Sequence, residues 1–250
     1  MKKIFVLLVF YFFCSYLPAQ VSVKDSVISC SILGSSYCFQ LPGADMSQRF
    51  GYDSDVKLSY FHKNKKNWMW GVDISLFFGN RIKENGILDS IKTQDGHVIN
   101  SNGEYAEVRL FERGHTASFK FGKLFNVWAP NPNSGIFCMA GVGFMQHKIR
   151  IDDIGNLSPQ LSTEMKKGYD LLTSGISATE FIGYLYLGNK RMLNFLGGFE
   201  FTQGFLKGKR EWLYDLQKPG TDSRIDLLSG FRIGWILPLY KKSPNEFYFN

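Results

Sequence analysis

The sequence predicts an all-β chain, an eight-stranded antiparallel transmembrane β-barrel with long extracellular loops behind an N-terminal signal peptide. Three observations predict it. Apolar and polar residues alternate with period two over segments that often exceed ten residues, whereas strands of soluble domains usually run about five or six. The connections alternate short and long, as periplasmic turns and extracellular loops do in bacterial outer-membrane barrels. One face of each strand carries charge and the other carries Phe, Trp and Leu, which is inside-out for a soluble sandwich.

The elements follow in order. Met1, Lys2 and Lys3 give a positive start, residues 4–13 form an unbroken apolar run, and Leu17-Pro18-Ala19-Gln20 offers cleavage after Ala19. The run is short for a spanning helix and Pro18 closes it. Residues 1–19 are read as a signal peptide and 20–28 as a periplasmic segment. Cys14 is preceded by Phe13, where a lipoprotein signal wants a small residue. The barrel covers 29–242. Its first strand, 29–41, alternates poorly and its facing is left open. Strands at 55–62, 114–127, 136–150 and 176–187 alternate weakly. Three alternate well. In 68–78, Trp68, Trp70, Val72, Ile74, Leu76 and Phe78 oppose Gly71, Asp73 and Ser75. In 192–205, Leu193, Phe195, Phe199, Phe201 and Phe205 oppose Asn194, Glu200 and Thr202. In 224–240, the odd positions from Ile225 to Leu239 are almost all apolar. Short turns fall at 63–66, 130–134 and 188–190, and long loops at 42–54, 80–113, 151–175 and 207–223. The even strand number puts both ends of the barrel on the periplasmic side, with a tail at 243–250.

Composition narrows the function classes. The 29 basic and 22 acidic residues leave a net +7, and removing Lys2 and Lys3 lowers it to +5. The basic residues are scattered, which argues against nucleic acid as a partner. Aromatic residues reach 16% at a mean hydropathy of −0.13, a combination that excludes a disordered chain. After the leader, Cys30, Cys38 and Cys138 remain. They are read as small apolar fillers, with no disulfide framework, no metal cluster and no cofactor.

An eight-stranded barrel has an interior that side chains just fill. The inward candidates are Lys57, Asp73, Lys120, Glu180, Glu200, Asp226 and Arg232, and charges of both signs in so narrow a space should pair. The lumen is therefore read as a charged plug rather than a channel. Trp68, Trp70, Tyr184, Tyr186, Trp235 and Tyr240 lie near strand ends, where interfacial girdles form. The weak catalytic candidates are His115 and His147, near extracellular ends of neighbouring strands, with Thr116 and Ser118 beside the first. A lipid-modifying site would need a base within hydrogen-bond reach of a nucleophile. Asp152 and Asp153 lie in no calcium-loop motif. The loop 80–113 carries Ile82, Ile87, Leu88, Ile91, Val98 and Ile99, and 162–172 reads as a short helix with Ser162 as N-cap and Met165, Tyr169 and Leu172 on one side. These loops either cap the barrel or dock another outer-membrane protein.

Several stretches carry a resemblance. They are Phe121-Gly122-Lys123-Leu124-Phe125, Trp128-Ala129-Pro130-Asn131-Pro132-Asn133-Ser134-Gly135, Gly143-Phe144-Met145-Gln146-His147-Lys148-Ile149, Gly198-Phe199-Glu200-Phe201-Thr202-Gln203-Gly204 and Gly230-Phe231-Arg232-Ile233-Gly234-Trp235-Ile236-Leu237-Pro238-Leu239-Tyr240. Together with Ala19-Gln20 they resemble a family of small outer-membrane barrel proteins of Bacteroidota-type bacteria. The resemblance covers residues 30 to 250 and implies a non-enzymatic barrel in the outer membrane, an accessory subunit of an assembly or secretion machine. It supplies no catalytic residue. Expected partners are outer-membrane lipid and other outer-membrane proteins, met through 80–113, 151–175 and the tail 243–250.

Overall fold

The computed structural model describes residues 26–84, 86–188 and 193–240. The predicted leader 1–19 and the tail 243–250 lie outside these residues, as does most of the segment 20–28. The strands are β1 (Cys30–Ala44), β2 (Asp53–Lys63), β3 (Trp68–Gly79), β4 (Val108–Phe125), β5 (Gly135–Asp153), β6 (Thr173–Leu187), β7 (Asn194–Gly208), β8 (Arg210–Leu213), β9 (Lys218–Gly220) and β10 (Ser223–Tyr240). Eight of them close an antiparallel barrel in the order β1-β10-β7-β6-β5-β4-β3-β2, while β8 and β9 form a small hairpin in the last loop. No described helix is long and apolar enough to cross a membrane.

The registers fix the size of the barrel. Following paired residues from Cys30 through Lys63, Met69, Gly122, Met139, Phe181, Glu200 and Gly230 leads back to β1 at Gln40, ten residues further along. Eight strands with that stagger tilt by about 40° and enclose a backbone radius of about 8 Å. Such a bore takes side chains and little else. Where strands coil most tightly even a Cβ is excluded: Gly183 and Gly198 face each other, and a Cβ on Gly198 would stand 2.4 Å from the Gly183 Cα.

β4 and β5 run further than their sequence pattern indicated. Val108 to Arg113 and Ile151 to Asp153 pair as strand, so the predicted loops 80–113 and 151–175 contract to 80–107 and 154–172. Inside the barrel the side chains sit in three layers. Toward the short turns lies an apolar cluster that includes Ile32, Phe61, Met69, Leu124, Phe137, Phe181 and Leu196. Toward the loops lies a second, built from Met46, Phe50, Phe77, Met145, Ile149, Leu206 and Leu228. Charged residues occupy the space between them.

Chain segments pack into both mouths of the barrel. At the turn end, Asn133 accepts a hydrogen bond from the Ile28 amide at 2.9 Å and donates to the Ser26 carbonyl at 2.8 Å, and the Lys63 amine donates to Ile28 O at 3.0 Å. At the loop end, helix α1 (Met46–Arg49) drives Met46 and Phe50 into the bore. The loops tie to it and to one another: Gly51 N to Arg81 O, Lys83 N to Arg49 O, Ser101 N to Leu157 O and Tyr214 N to Gly168 O. Ile87, Leu88 and Val98 are buried in this cap with Leu161, Tyr169 and Leu213. The predicted helix over 162–172 is instead a single 3-10 turn at Met165–Gly168. The Ser162 hydroxyl accepts from the Met165 amide at 3.4 Å, but Met165 points out while Tyr169 is buried. Leu171 takes φ +48° and Arg210 grips Asp170, which together end the turn.

Candidate functional site

The charged layer is assembled by parity. On β2 and β3 odd residues face inward, and on β4, β7 and β10 even ones do, so Lys57, Asp73, Lys120, Glu200 and Arg232 point to one level of the bore. Glu200 sits at its centre and accepts from the amines of Lys57 and Lys120 and from Nη1 of Arg232, each at 2.9 Å. Asp73 accepts from Lys120 and Arg232, both at 2.8 Å. Asp55 pairs with Lys57. Arg232 is completed by two hydroxyls, donating from Nε to Ser36 Oγ at 2.9 Å and from Nη2 to Ser59 Oγ at 2.7 Å, and its guanidinium lies 5.6 Å from the Phe181 ring centre. Three cations face three carboxylates, all buried. Charges in such a place persist because they are paired and hydrogen-bonded, and these spend their coordination on one another.

Two of the seven residues predicted for this network lie elsewhere. Glu180 faces outward from the wall, opposite Ala140 and Phe201. It shares strand parity with Tyr184 and Tyr186, and it stands with them outside. Asp226 points inward but one layer higher, where its carboxylate accepts from His147 Nε2 at 2.7 Å and lies 3.5 Å from Arg224. Asp55, Ser36 and Ser59 belong to the network and were not anticipated. Asp55 is two residues from Lys57 on β2, so the same parity places it inside.

The histidine pair does not converge. His147 faces the lumen beneath the cap, with the Phe50 ring edge-on at 5.5 Å. His115 is on the outer surface, 6.2 Å from the Phe144 ring. The register pairs His115 with Gln146 and His147 with Gly114, so the two rings stand on opposite faces of the wall. Thr116 and Ser118 face inward, and the Thr116 hydroxyl meets Ser75 at 2.8 Å. Above them, Arg49 donates to Thr173 Oγ1 at 3.3 Å and lies 3.7 Å from Glu84. Burial, with Arg224 nearby, pushes its guanidinium down to about 10. Asp53 and Glu112, which lie in the predicted loops 42–54 and 80–113, are in strands and buried at this end. Among the described residues no cluster of His, Cys, Asp and Glu is arranged to hold a metal ion.

The outer surface carries exposed apolar side chains on all eight barrel strands. Trp68, Trp70, Tyr184, Tyr186 and Trp235 point outward. Trp68 stacks on Phe121 at 5.0 Å and Tyr186 on Phe195 at 4.9 Å, Trp70 lies tilted against His62 at 4.8 Å, and Tyr184 donates to Trp128 O at 2.8 Å. Tyr240, expected among them, has the opposite parity to Trp235 and packs against the apolar cluster at the turn end of the lumen. Cys30 and Cys38 are buried inside, Cys138 faces outward, and all three are free thiols.

No family model matches the chain, and no curated protein matches it. Among solved structures it is similar to Ail, the attachment invasion locus protein of Yersinia pestis, crystallised with the heparin analogue sucrose octasulfate, at 9% identity and TM-score 0.39 over 84% of this chain and 99% of that one. It is similar to Neisserial surface protein A at 10% identity and TM-score 0.37 over 81% and 95% of the two chains. It is also similar to the outer-membrane protein OprG of Pseudomonas aeruginosa, at 9% identity and TM-score 0.36 over 87% and 99%.

Proposed function

We propose that the protein is an integral outer-membrane barrel with a sealed lumen, serving as a structural and interaction subunit of an outer-membrane complex. The observation that carries this reading is the inverted polarity of the wall. Leu58, Ile74, Phe199, Phe231 and Ile233 are exposed outside while Lys57, Asp73, Lys120, Glu200 and Arg232 are buried inside. In water that exterior would forfeit about 25 cal/mol for each Å² of apolar surface left wet. Lipid removes the penalty, and a closed barrel leaves no backbone edge unpaired in the hydrocarbon. The turn end, where both chain ends of the barrel meet, faces the periplasm, and the loop cap faces outward.

A docking role fits the surface of the cap. Its interior is satisfied by its own apolar residues, yet Tyr105, Ile154, Leu157, Met165, Trp212 and Leu216 remain exposed on it. Trp and Tyr are residue types that anchor protein contacts, and Tyr105 and Trp212 are the two on this surface. The tail 243–250, outside the described residues, is the second segment proposed for contact. The placement of His115 and His147 on opposite faces of the wall supports a non-enzymatic role. Mild detergent extraction and affinity purification of the tagged native protein tests the reading. A stable outer-membrane partner that crosslinks to residues 80–107 or 154–172 is expected. Recovery of the barrel alone, with no crosslink from the cap, contradicts it.

A further inference from the structure

The outer wall carries a cationic notch at the loop end of β4 and β5. The register sets Arg113 directly opposite Lys148 and His115 opposite Gln146, and all four face outward. From β3, Phe78 pairs with Arg113 and Leu76 with His115. Like charges directly opposite on one face of a sheet repel, and of the two only Lys148 has a carboxylate at ion-pair distance among the described residues. Arg113 donates from Nη1 to the backbone oxygen of Glu112 at 2.6 Å, with its guanidinium 5.1 Å from the Phe111 ring centre and 6.0 Å from that of Phe78. Lys148 stands 3.8 Å from Asp170, whose two oxygens are already taken by Arg210. The next cations along the same strands differ: Arg109 has Glu107 and Arg150 has Asp152. At the level of Arg113 and Lys148 the one ion pair is the long Lys148–Asp170 contact, which Asp170 shares with Arg210. The notch opens a groove of about 650 Å³ lined by Leu76, Phe78, Arg113, His115, Gln146 and Lys148, and exposed Phe119, Val142 and Phe144 continue it down the wall.

We propose that this notch binds a phosphate group of a phosphorylated, multiply acylated glycolipid of the outer leaflet. Arg113 and Lys148 hold the phosphate between them, and the acyl chains lie along β3 to β5. The proposal rests on the outer-membrane reading above. A dianion between two opposed cations turns their repulsion into two charge-assisted hydrogen bonds, and the apolar continuation of the groove selects a lipid over free phosphate.

The full-length protein, refolded in detergent, is titrated with diphosphoryl lipid A, with the same lipid after removal of its phosphates, and with inorganic phosphate, and bound lipid is read by native mass spectrometry. The wild type should retain diphosphoryl lipid A against millimolar inorganic phosphate and bind the dephosphorylated lipid about tenfold or more less tightly. The Arg113→Gln/Lys148→Gln variant should lose about tenfold or more in affinity for diphosphoryl lipid A. Arg109→Gln/Arg150→Gln, which removes cations already neutralised, should change it less than about threefold. Equal binding of phosphorylated and dephosphorylated lipid by the wild type overturns the proposal, and that arm needs no variant to fold. Displacement by inorganic phosphate alone, or undiminished binding by a folded Arg113→Gln/Lys148→Gln barrel, also overturns it. A wild type that never enters lipid vesicles defeats the membrane reading itself; one that enters them without preferring phosphorylated lipid defeats only the notch.

Discussion

Glu200 neutralises three cations from three different strands, so the lumen is most sensitive there. Glu200→Gln keeps the shape of the side chain and leaves Lys57, Lys120 and Arg232 facing only Asp55 and Asp73. Breaking a buried network in this way costs about 3–5 kcal/mol, read as a lowered midpoint of urea unfolding in lipid vesicles. Glu180 makes the opposite test. Its carboxylate faces outward from the middle of β6, so Glu180→Leu should be neutral or stabilising by about 1–2 kcal/mol. A loss comparable with that of Glu200→Gln would return Glu180 to the lumen. These two glutamates also show what single residues disclose in sequence. Charge alone suggests that both are inside, while parity with Tyr184 and Tyr186 places Glu180 outside. Tyr240 repeats the lesson, since aromatic character suggested the girdle and parity with Arg232 puts it within. Where residue type and parity conflict, parity prevails, because successive side chains on a strand point to opposite faces whatever they are.

Among the elements, the cap is held by a small number of side chains. Asp215, in the loop between β8 and β9, accepts from the Leu88 amide at 2.6 Å, the Ser90 amide at 3.2 Å and the Ser90 hydroxyl at 2.8 Å. It thereby ties residues 86–91 to the hairpin. Asp215→Ala leaves those donors without their acceptor, at a local cost of about 1–3 kcal/mol. Limited proteolysis should then cut within residues 80–107 at a higher rate, with the barrel's unfolding midpoint unchanged. Equal protection in the variant would show that Ile87, Leu88 and Val98 hold the loop without help. All eight barrel strands were legible in the sequence, and the limits of several were not. The upper parts of β4 and β5 were hidden because Arg109, Arg113, Arg150 and Asp152 dominate a stretch whose inward members include Glu112 and Asp153. The facing of β1 was illegible for a different reason. Inside, Ser36 and Gln40 join Cys30, Ile32 and Cys38, and outside Ser31 and Ser35 alternate with Leu33 and Tyr37, so neither side has a uniform polarity.

Across the whole molecule, the lumen is a charged layer enclosed between two apolar ones, each backed by chain folded into the mouth. The sequence indicated the middle layer by its lysines, carboxylates and arginine. It concealed the outer two, because Phe61, Met69, Phe77 and Met145 break the expected rule that inward residues are polar. Those residues are spread over separate strands, and only the stagger of the closed barrel gathers them into plugs. The rim histidines show the same dependence: their neighbouring strands could be read from the sequence, and their opposite facing required the register. On the proposed reading, a bore of about 8 Å backbone radius, crossed by Arg232 and Glu200 with Phe50 above and Ile28 below, should pass neither water nor ions. Planar-bilayer recording of the refolded full-length protein is the most direct measurement of that claim. With insertion verified by protease protection, the traces should remain at baseline under applied voltage; a steady, reproducible step conductance would contradict the sealed lumen.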